Sequence, residues 1–288
     1  MNKSILLAGT IPGNDNSLIT GYASFKDNSL SIDKTEIPLN RGTAAMVAAV
    51  CKTAAFFNEK MPFCVLANDI GTKTGSRNVY RHIIKHRKKL EFDIFGLHYI
   101  IPDIGLHNQM LSAIKKIEPQ PILVADAGFM YVAKASGRSE SYDLFLPDLG
   151  EIAFLADKKA SHPAYTRGFL TRLEETPEDL IERALASGNV SKNLCVKGKT
   201  DYICSESKII TKVSAPVVEE LEPIGGTGDT ITGMCLGLIA HGYPIHEAAV
   251  LACRANREAG KITNPSPASQ IKDIIINIPA ALKILTDQ

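Results

Sequence analysis

A glycine-rich segment late in the chain, residues 224–233, constrains the fold and the chemistry more than any other stretch. It reads Ile-Gly-Gly-Thr-Gly-Asp-Thr-Ile-Thr-Gly, and small and apolar residues continue at helical spacing to Ala240. The glycines can adopt positive φ and let a ligand approach the backbone closely. The segment therefore predicts a loop that opens a helix, with N-terminal N–H groups facing an anion such as a phosphate.

Asp229 is predicted to lie in the first turn of that helix, beside the anion site. A carboxylate repels a phosphate, so this position suits a base that takes a proton from an attacking hydroxyl. The alternative is an ordinary glycine-rich cap with Asp229 as a first-turn acid. The segment is not a Walker loop, because no lysine follows the last glycine, and it lies too late in the chain for a typical dinucleotide fingerprint.

Short apolar runs that alternate with helical segments indicate an α/β fold. The predicted strands cover residues 5–8, 64–67, 98–101, 122–125, 144–146 and 194–196. Each strand–helix step takes about 25 to 40 residues, which is typical of βαβ units in a parallel sheet. A hairpin is predicted at 201–204 and 208–213, and two helices, at 245–260 and 268–285, close the chain.

Composition narrows the class of protein. The chain has 288 residues, 45% of them hydrophobic, and no convincing internal boundary, so residues 1–288 are predicted to form one domain. A net charge of +1 argues against nucleic acid as the main partner. No apolar run is long enough to span a membrane. Six cysteines without a CxxC pair are typical of reduced thiols in a cytoplasmic protein, and a homo-oligomer is compatible with the sequence.

Polar side chains follow several predicted strands, and in a parallel sheet these positions meet at the edge where ligands bind. The candidates are Asn68, Asp69, Asp126, Asp148 and Glu151. Structural alternatives remain open for them, because Asp126 or Asp148 can cap a helix and Glu151 can be a first-turn acid. Lys197, at the end of another predicted strand, is either a ligand-facing cation or a surface lysine.

The order of these motifs resembles the ribokinase-like superfamily. Within it, the chain is most similar to the ADP/ATP-dependent NAD(P)H-hydrate dehydratases, which carry an aspartate after a central strand, a Pro-Gly-Glu segment, a Lys-Gly strand end and Gly-Gly-Thr-Gly-Asp. The matching positions are Asp126, 147–151, 197–198 and 225–229. The resemblance covers residues 120–260 and implies a three-layer α/β/α fold, with a mostly parallel central sheet and a nucleotide at its carboxyl edge.

The resemblance also implies roles for individual residues. Those implied to form the anion hole around the transferred phosphoryl group are Gly225, Gly226, Thr227 and Gly228. Asp229 would be the catalytic acid/base, and Lys197 and Gly198 would lie along the phosphates of ATP or ADP. Glu151 matches the acid that organises Mg²⁺ through water, and Asp148 replaces an Asn or His that often precedes that acid.

The first half of the chain carries the weaker resemblance. Dehydratases usually have His-Pro-Gly-Glu where this chain has Pro-Asp-Leu-Gly-Glu, and their glycine-rich substrate segment has only two candidates here, residues 9–13 and 69–75. Contacts with a small hydroxyl-bearing substrate are therefore expected from Asn68, Asp69 and Asp126, on their position alone.

Three functions share this predicted site. The first is dehydration of hydrated NAD(P)H, in which the nucleotide phosphorylates the substrate hydroxyl and loss of phosphate restores the cofactor. The second is phosphorylation of a sugar, vitamin or similar small alcohol by a kinase. The third is a catalytically silent nucleotide-binding protein, and the intact Asp229 argues against it.

Overall fold

The computed structural model describes residues 3–160, 176–266 and 268–287. Its strands are β1 Ile5–Ile11, β2 Leu18–Lys26, β3 Ser29–Ile32, β4 Thr35–Ile37, β5 Phe63–Asn68, β6 Ile94–Leu97, β7 Ile122–Ala125, β8 Leu144–Phe145, β9 Asn193–Val196, β10 Asp201–Ser205 and β11 Lys208–Val213. They form one sheet in the order β11-β10-β9-β8-β7-β6-β1-β5-β2-β3-β4. The six central strands from β9 to β5 are parallel, and the strands at both edges are antiparallel.

Helices cover both faces of this sheet. They are α1 Thr43–Phe56, α2 Thr74–His86, α3 Ile104–Ile114, α4 Gly128–Ala135, α5 Leu149–Ala156, α6 Pro177–Ser187, α7 Thr227–His241, α8 Ile245–Thr263, α9 Ile271–Ile275 and α10 Ile278–Thr286. Leu7 of β1 faces the core formed with α1 and α7–α10, whereas its neighbour Leu6 faces the core formed with α2–α6. This alternation along a strand gives three layers, so the predicted α/β/α fold is confirmed.

Small residues bring α1 and α7 close together. A Cβ atom on Gly233 would lie 2.3 Å from the carbonyl oxygen of Met46, and one on Gly237 would lie 2.6 Å from a carbon of Thr53. The alanine-rich segment after residue 43 predicts a helix packed on the sheet, and α1 does pack on β1 and β2, although its most extensive contacts are with α7. The close approach brings the N-terminal ends of the two helices together at the carboxyl edge of the sheet.

Two predicted elements are wrong in their bounds. The strand predicted at 98–101 lies instead at Ile94–Leu97. Gly96 interrupts the apolar run at these residues, and because glycine is depleted in strands, the sequence pattern does not indicate a strand there. Gly96 leaves room for Leu236 and Leu7, both of which a Cβ atom would meet at 2.7 Å. The helix predicted at 268–285 is two helices, α9 and α10. Residues 157–176 have a polar, irregular sequence that predicts an exposed excursion, and most of them lie outside the described ranges.

All six cysteines are buried and form no disulfide, and Sγ of Cys195 lies 3.5 Å from Sγ of Cys253. Within the described ranges, every helix is too short or too polar to cross a membrane.

Candidate active site

Side chains from distant parts of the chain meet where the central strands end. His98 follows β6, Asp126 follows β7 and Lys197 follows β9, while α7 presents its first turn, with Asp229 as the third residue, to the same place. The structure thus brings together Asp126, Lys197, Asp229 and the glycine loop, as the sequence predicts for the sheet edge.

The Asp229 carboxylate is held on both oxygens. The backbone N–H of Gly42, at the N-cap of α1, donates to Oδ2 at 2.7 Å, and Nε2 of His98 lies 3.0 Å from Oδ1. Burial raises the pKa of Asp229, but the hydrogen bond and charge of His98, the charge of Lys197 and the Gly42 N–H outweigh it. The pKa of Asp229 therefore lies below its usual value, which favours the ionised, proton-accepting form.

His98 continues a hydrogen-bonded chain behind this carboxylate. The Thr43 hydroxyl donates its single proton to the carbonyl of Thr10 at 2.7 Å, so it accepts from Nδ1 of His98 at 3.0 Å. Nδ1 therefore carries a proton and acts as a donor. The hydrogen bond between Nε2 of His98 and Oδ1 of Asp229 requires a second proton, which one of these two atoms carries. The arrangement fixes the Asp229 side chain and couples it to a fully buried imidazole.

Lys197 is buried beside the first turn of α7, so the surface-lysine alternative is wrong. Its side chain is 9% exposed, and its Nζ donates to Oδ2 of Asp126 at 2.6 Å. The hydroxyl of Thr232 donates to the same oxygen at 2.5 Å, and a Cβ on Gly228 would lie 3.6 Å from Lys197 carbons. Burial opposes the charge of Lys197, but the charges of Asp126, Glu151 and Asp229 raise its pKa, so a fixed cation lies beside the glycine loop.

The glycine loop has the backbone geometry that the sequence predicts. Gly226 is the N-cap of α7 with φ 106°, a left-handed conformation that favours glycine. Thr227 is the first helical residue, and its carbonyl accepts from the hydroxyl of Thr230 at 2.7 Å. The side chain of Arg41 packs over Gly225, 3.3 Å from where a Cβ would stand. The N–H groups at this end of α7 are suited to an anion.

Gly198 is fixed by a buried ion pair that the sequence did not reveal. Arg257 of α8 donates to Asp201 Oδ2 from Nε at 3.0 Å and from one terminal nitrogen at 2.8 Å. That nitrogen also donates to the carbonyls of Gly198 and Lys199, and the N–H of Gly198 donates to Oδ1 of Asp201. The guanidinium therefore determines the shape of the turn that follows Lys197.

Asp148 and Glu151 form the N-terminal capping box of α5. The Glu151 N–H donates to Asp148 Oδ1 at 2.7 Å, and the Asp148 N–H donates to Glu151 Oε2 at 2.8 Å. Tyr131 donates to Oε1 of Glu151 at 2.9 Å. Burial, followed by the charges of Asp126 and Asp148, raises the pKa of Glu151 to about 8. A bound divalent cation would favour the ionised form of Glu151, and both carboxylates would then keep lone pairs for metal-bound water, so their donor chemistry fits an outer-shell role toward Mg²⁺.

The donor atoms of His98, Asp126 and Asp229 lie within 4.8 Å of one another, a spacing that could hold a metal ion. However, Lys197 Nζ already lies on Asp126, and His98 is hydrogen-bonded to Asp229. We therefore assign no metal to this cluster.

Asn68, the last residue of β5, and Asp69, which follows it, lie farther along the edge, and their side chains bind the loops around them. Asn68 donates to Asp15 and Ser17. The Asp69 carboxylate accepts from the N–H and hydroxyl of Ser76, each at 2.8 Å, and from N–H groups of residues 71–73. Asp126, by contrast, lies within the central cluster, and the N-cap of α4 is the next residue, Ala127.

His98 is the main site residue that the sequence prediction missed. The same rule that selected Asp126, a polar residue directly after a buried strand, selects His98 once β6 is placed at Ile94–Leu97. Placing the strand four residues too late hid it. Thr43, Asp201 and Arg257 carry no such local signal.

A model of the NAD(P)H-hydrate dehydratase family matches residues 104–277, more than half of the chain. The chain belongs to this family. A relative from Methanocaldococcus jannaschii, an uncharacterized protein, is 43% identical over 240 residues, which are 83% of this chain and 98% of that protein.

Solved structures show the ribokinase-like fold of the family. The pyridoxal kinase from Lactobacillus plantarum has a TM-score of 0.59 at 16% identity and covers 98% of both chains. The ADP/ATP-dependent NAD(P)H-hydrate dehydratase from Bacillus subtilis has a TM-score of 0.58 at 12% identity and covers 98% of this chain and 91% of its own. Phosphofructokinase-2 from Escherichia coli has a TM-score of 0.57 at 15% identity, with 98% and 100% covered. At these identities the likeness concerns the fold alone.

Proposed function

We propose that the chain is an ATP- or ADP-dependent enzyme that activates a substrate hydroxyl by phosphoryl transfer, with Asp229 as the base. The observation that carries the proposal is the position of Asp229. Its carboxylate lies in the first turn of α7, directly after the glycine loop and near the buried Lys197 cation. A proton acceptor, backbone N–H donors and a fixed cation are the protein groups that phosphoryl transfer requires.

In the proposed first step, Asp229 takes the proton of the substrate hydroxyl. The hydroxyl oxygen forms a bond to the terminal phosphorus of the nucleotide at the same time. The bond from that phosphorus to the bridging oxygen breaks, and the shortened nucleotide leaves with the electron pair. The residues proposed to oppose the developing negative charge are Gly225, Gly226, Thr227, Gly228 and Lys197. Bound Mg²⁺ would supply charge neutralisation on the phosphates, held through water by Asp148 and Glu151.

The dehydratase reaction is the finer proposal, and membership of the family supports it. Its substrate would be hydrated NADH or NADPH. After phosphorylation, the carbon–oxygen bond of the phosphate ester breaks and phosphate leaves with the electron pair. The adjacent ring carbon loses a proton, and a carbon–carbon double bond forms. The net result is loss of water from the substrate and hydrolysis of one phosphoanhydride bond.

A small-molecule kinase is the second candidate, and one specific observation favours it. The family match begins at residue 104, whereas Gly42 and His98, which contact the Asp229 carboxylate, and Thr43, which contacts His98, lie before it. The residues that hold the proposed base are thus outside the match. The fold likeness favours neither candidate, because a pyridoxal kinase and the Bacillus subtilis dehydratase each cover 98% of the chain, with TM-scores of 0.59 and 0.58. A kinase would stop after the first step and release a phosphorylated alcohol.

The deciding experiment follows NADH absorbance with hydrated NADH, Mg²⁺, and ATP or ADP. Nucleotide-dependent recovery of NADH supports the dehydratase. Nucleotide turnover only with an added alcohol such as pyridoxine supports a kinase. No turnover with any acceptor, although nucleotide binds, supports the silent binding protein.

Asp229→Asn is the matched variant, because it keeps the shape of the side chain and removes the base. We expect loss of turnover by at least about a thousandfold, with nucleotide affinity within about threefold of wild type. Full turnover in this variant would remove Asp229 from the mechanism.

A further inference from the structure

Tyr99 combines exposure with an unfavourable backbone conformation at the mouth of the candidate active site. Its side chain is 50% exposed, while its neighbours His98 and Ile100 are buried. Its φ is +24°, in the left-handed region that residues with a Cβ rarely adopt. Such strain persists only where surrounding structure enforces it, and it concentrates at functional sites.

The surrounding structure does enforce this conformation. The carbonyl of Tyr99 accepts two hydrogen bonds from Thr10, one from the backbone N–H at 2.8 Å and one from the hydroxyl at 2.9 Å. The carbonyl of Thr10 in turn accepts from Thr43, which orients His98. The segment that holds His98 against Asp229 therefore also fixes the direction of the Tyr99 side chain.

The ring lies next to the base. Two ring carbons of Tyr99 are 3.6 Å from where a Cβ on Gly42 would stand, and the N–H of Gly42 binds Asp229. The ring packs edge-on against His98, with centroids 4.7 Å apart and planes at 77°. Among the described residues, the phenol hydroxyl has no hydrogen-bond partner.

From this placement we infer that Tyr99 is a specificity-determining residue whose ring stacks on a planar ring of the hydroxyl-bearing acceptor. The inference deepens the proposed function and rests on it. An aromatic next to the base meets the acceptor rather than the adenine, because the phosphate chain separates the base from the adenine. A planar nitrogen heterocycle has a π-system that can stack on the tyrosine ring, and a saturated sugar lacks this π-system.

The test compares Tyr99→Phe with Tyr99→Leu. Phenylalanine keeps the ring and loses the hydroxyl, and leucine loses the ring while keeping apolar bulk and the backbone strain. Binding of nicotinamide and pyridoxine, as planar probes without an adenine, and of D-ribose is measured by calorimetry on the full chain. We expect the planar probes to bind wild type and Tyr99→Phe alike, and to bind Tyr99→Leu about tenfold more weakly, with ribose unaffected.

Tyr22→Leu is the matched control. Tyr22 is 61% exposed and pairs with Phe63, the first residue of β5, so it lies at the opposite end of the sheet. Unchanged planar-probe affinity in Tyr99→Leu, no binding of planar probes to wild type, or a loss confined to ATP and ADP would each overturn the inference. These outcomes do not depend on turnover, so they are distinguishable from failure of the proposed reaction, which Asp229→Asn tests.

Discussion

The Nε2 atom of His98 lies 3.0 Å from Oδ1 of Asp229, although 131 positions separate the two residues in the chain. The imidazole holds the carboxylate and helps to lower its pKa against the effect of burial. We expect His98→Leu to reduce kcat by about a hundredfold and to move the acid limb of the rate profile to higher pH, because the pKa of Asp229 rises without the imidazole. Because the pKa of Asp229 lies below its usual value, steady-state rates would be measured from about pH 3 to pH 8 to show both changes.

His98→Gln provides the control, because its amide N–H can still donate to Asp229 but carries no charge. Its kcat should lie between those of wild type and His98→Leu. An unchanged acid limb in His98→Leu would mean that the ionisation of Asp229 does not control the rate.

The sequence predicts the fold and the Asp229 loop because both depend on short-range patterns of residues. Glycine spacing, helical periodicity and the apolar runs of the buried strands are local properties of the chain. The His98–Asp229 contact and the Arg257–Asp201 pair join residues that only the folded sheet and helices bring together. Tertiary contacts also impose the positive φ of Tyr99, and the local sequence contains no signal that predicts this backbone conformation.

Lys197 and Asp126 form a buried ion pair at 2.6 Å. Lys197→Met leaves the Asp126 carboxylate buried without its cation, and we expect it to lower the free energy of unfolding by about 3–5 kcal/mol. Adding Asp126→Asn removes the unpaired charge and should recover at least about 1 kcal/mol. Urea denaturation of the wild type, both single variants and the double variant measures this coupling.

The matched control for that cycle is Lys192→Met, because Lys192 pairs with Asp143 at 2.8 Å but its side chain is 63% exposed. Water screens an exposed pair, so this variant should change stability far less. Equal effects of the two lysine substitutions would show that burial of Lys197 does not determine its contribution.

Arg257 shapes the turn that follows Lys197, through its fork of bonds to Asp201, Gly198 and Lys199. Arg257→Lys keeps the charge but cannot make all of these bonds at once. We expect the KM for nucleotide to rise about tenfold, with a smaller change in kcat, because the turn and not the base is disturbed. Arg254→Lys, an exposed position on the same helix, should leave both constants unchanged. A change in kcat alone would contradict this role for the turn.

His107 forms a neutral buried network far from the proposed chemistry. The Tyr142 hydroxyl lies 2.7 Å from Nε2 of His107, and the Ser136 hydroxyl lies 3.2 Å from Nδ1 and donates to the carbonyl of Ala133. Ser136 uses its proton on that carbonyl, so Nδ1 is a donor and Nε2 accepts from Tyr142. Burial, opposed by Asn108 and aided by the charge of Arg138, lowers the pKa of His107 to about 4.

A lowered pKa makes the folded state less stable in acid. The unfolded chain binds a proton at His107 near pH 6.5, whereas the folded chain does so only near pH 4, so stability falls as pH drops through this window. The loss attributable to His107 should approach about 3 kcal/mol at pH 4. His107→Gln should flatten the fall in the free energy of unfolding between pH 6.5 and 4, whatever its effect at pH 7. His246→Gln, at a partly exposed histidine, should leave the slope unchanged. If His107→Gln keeps the wild-type slope, protonation of His107 is not what destabilises the fold in acid.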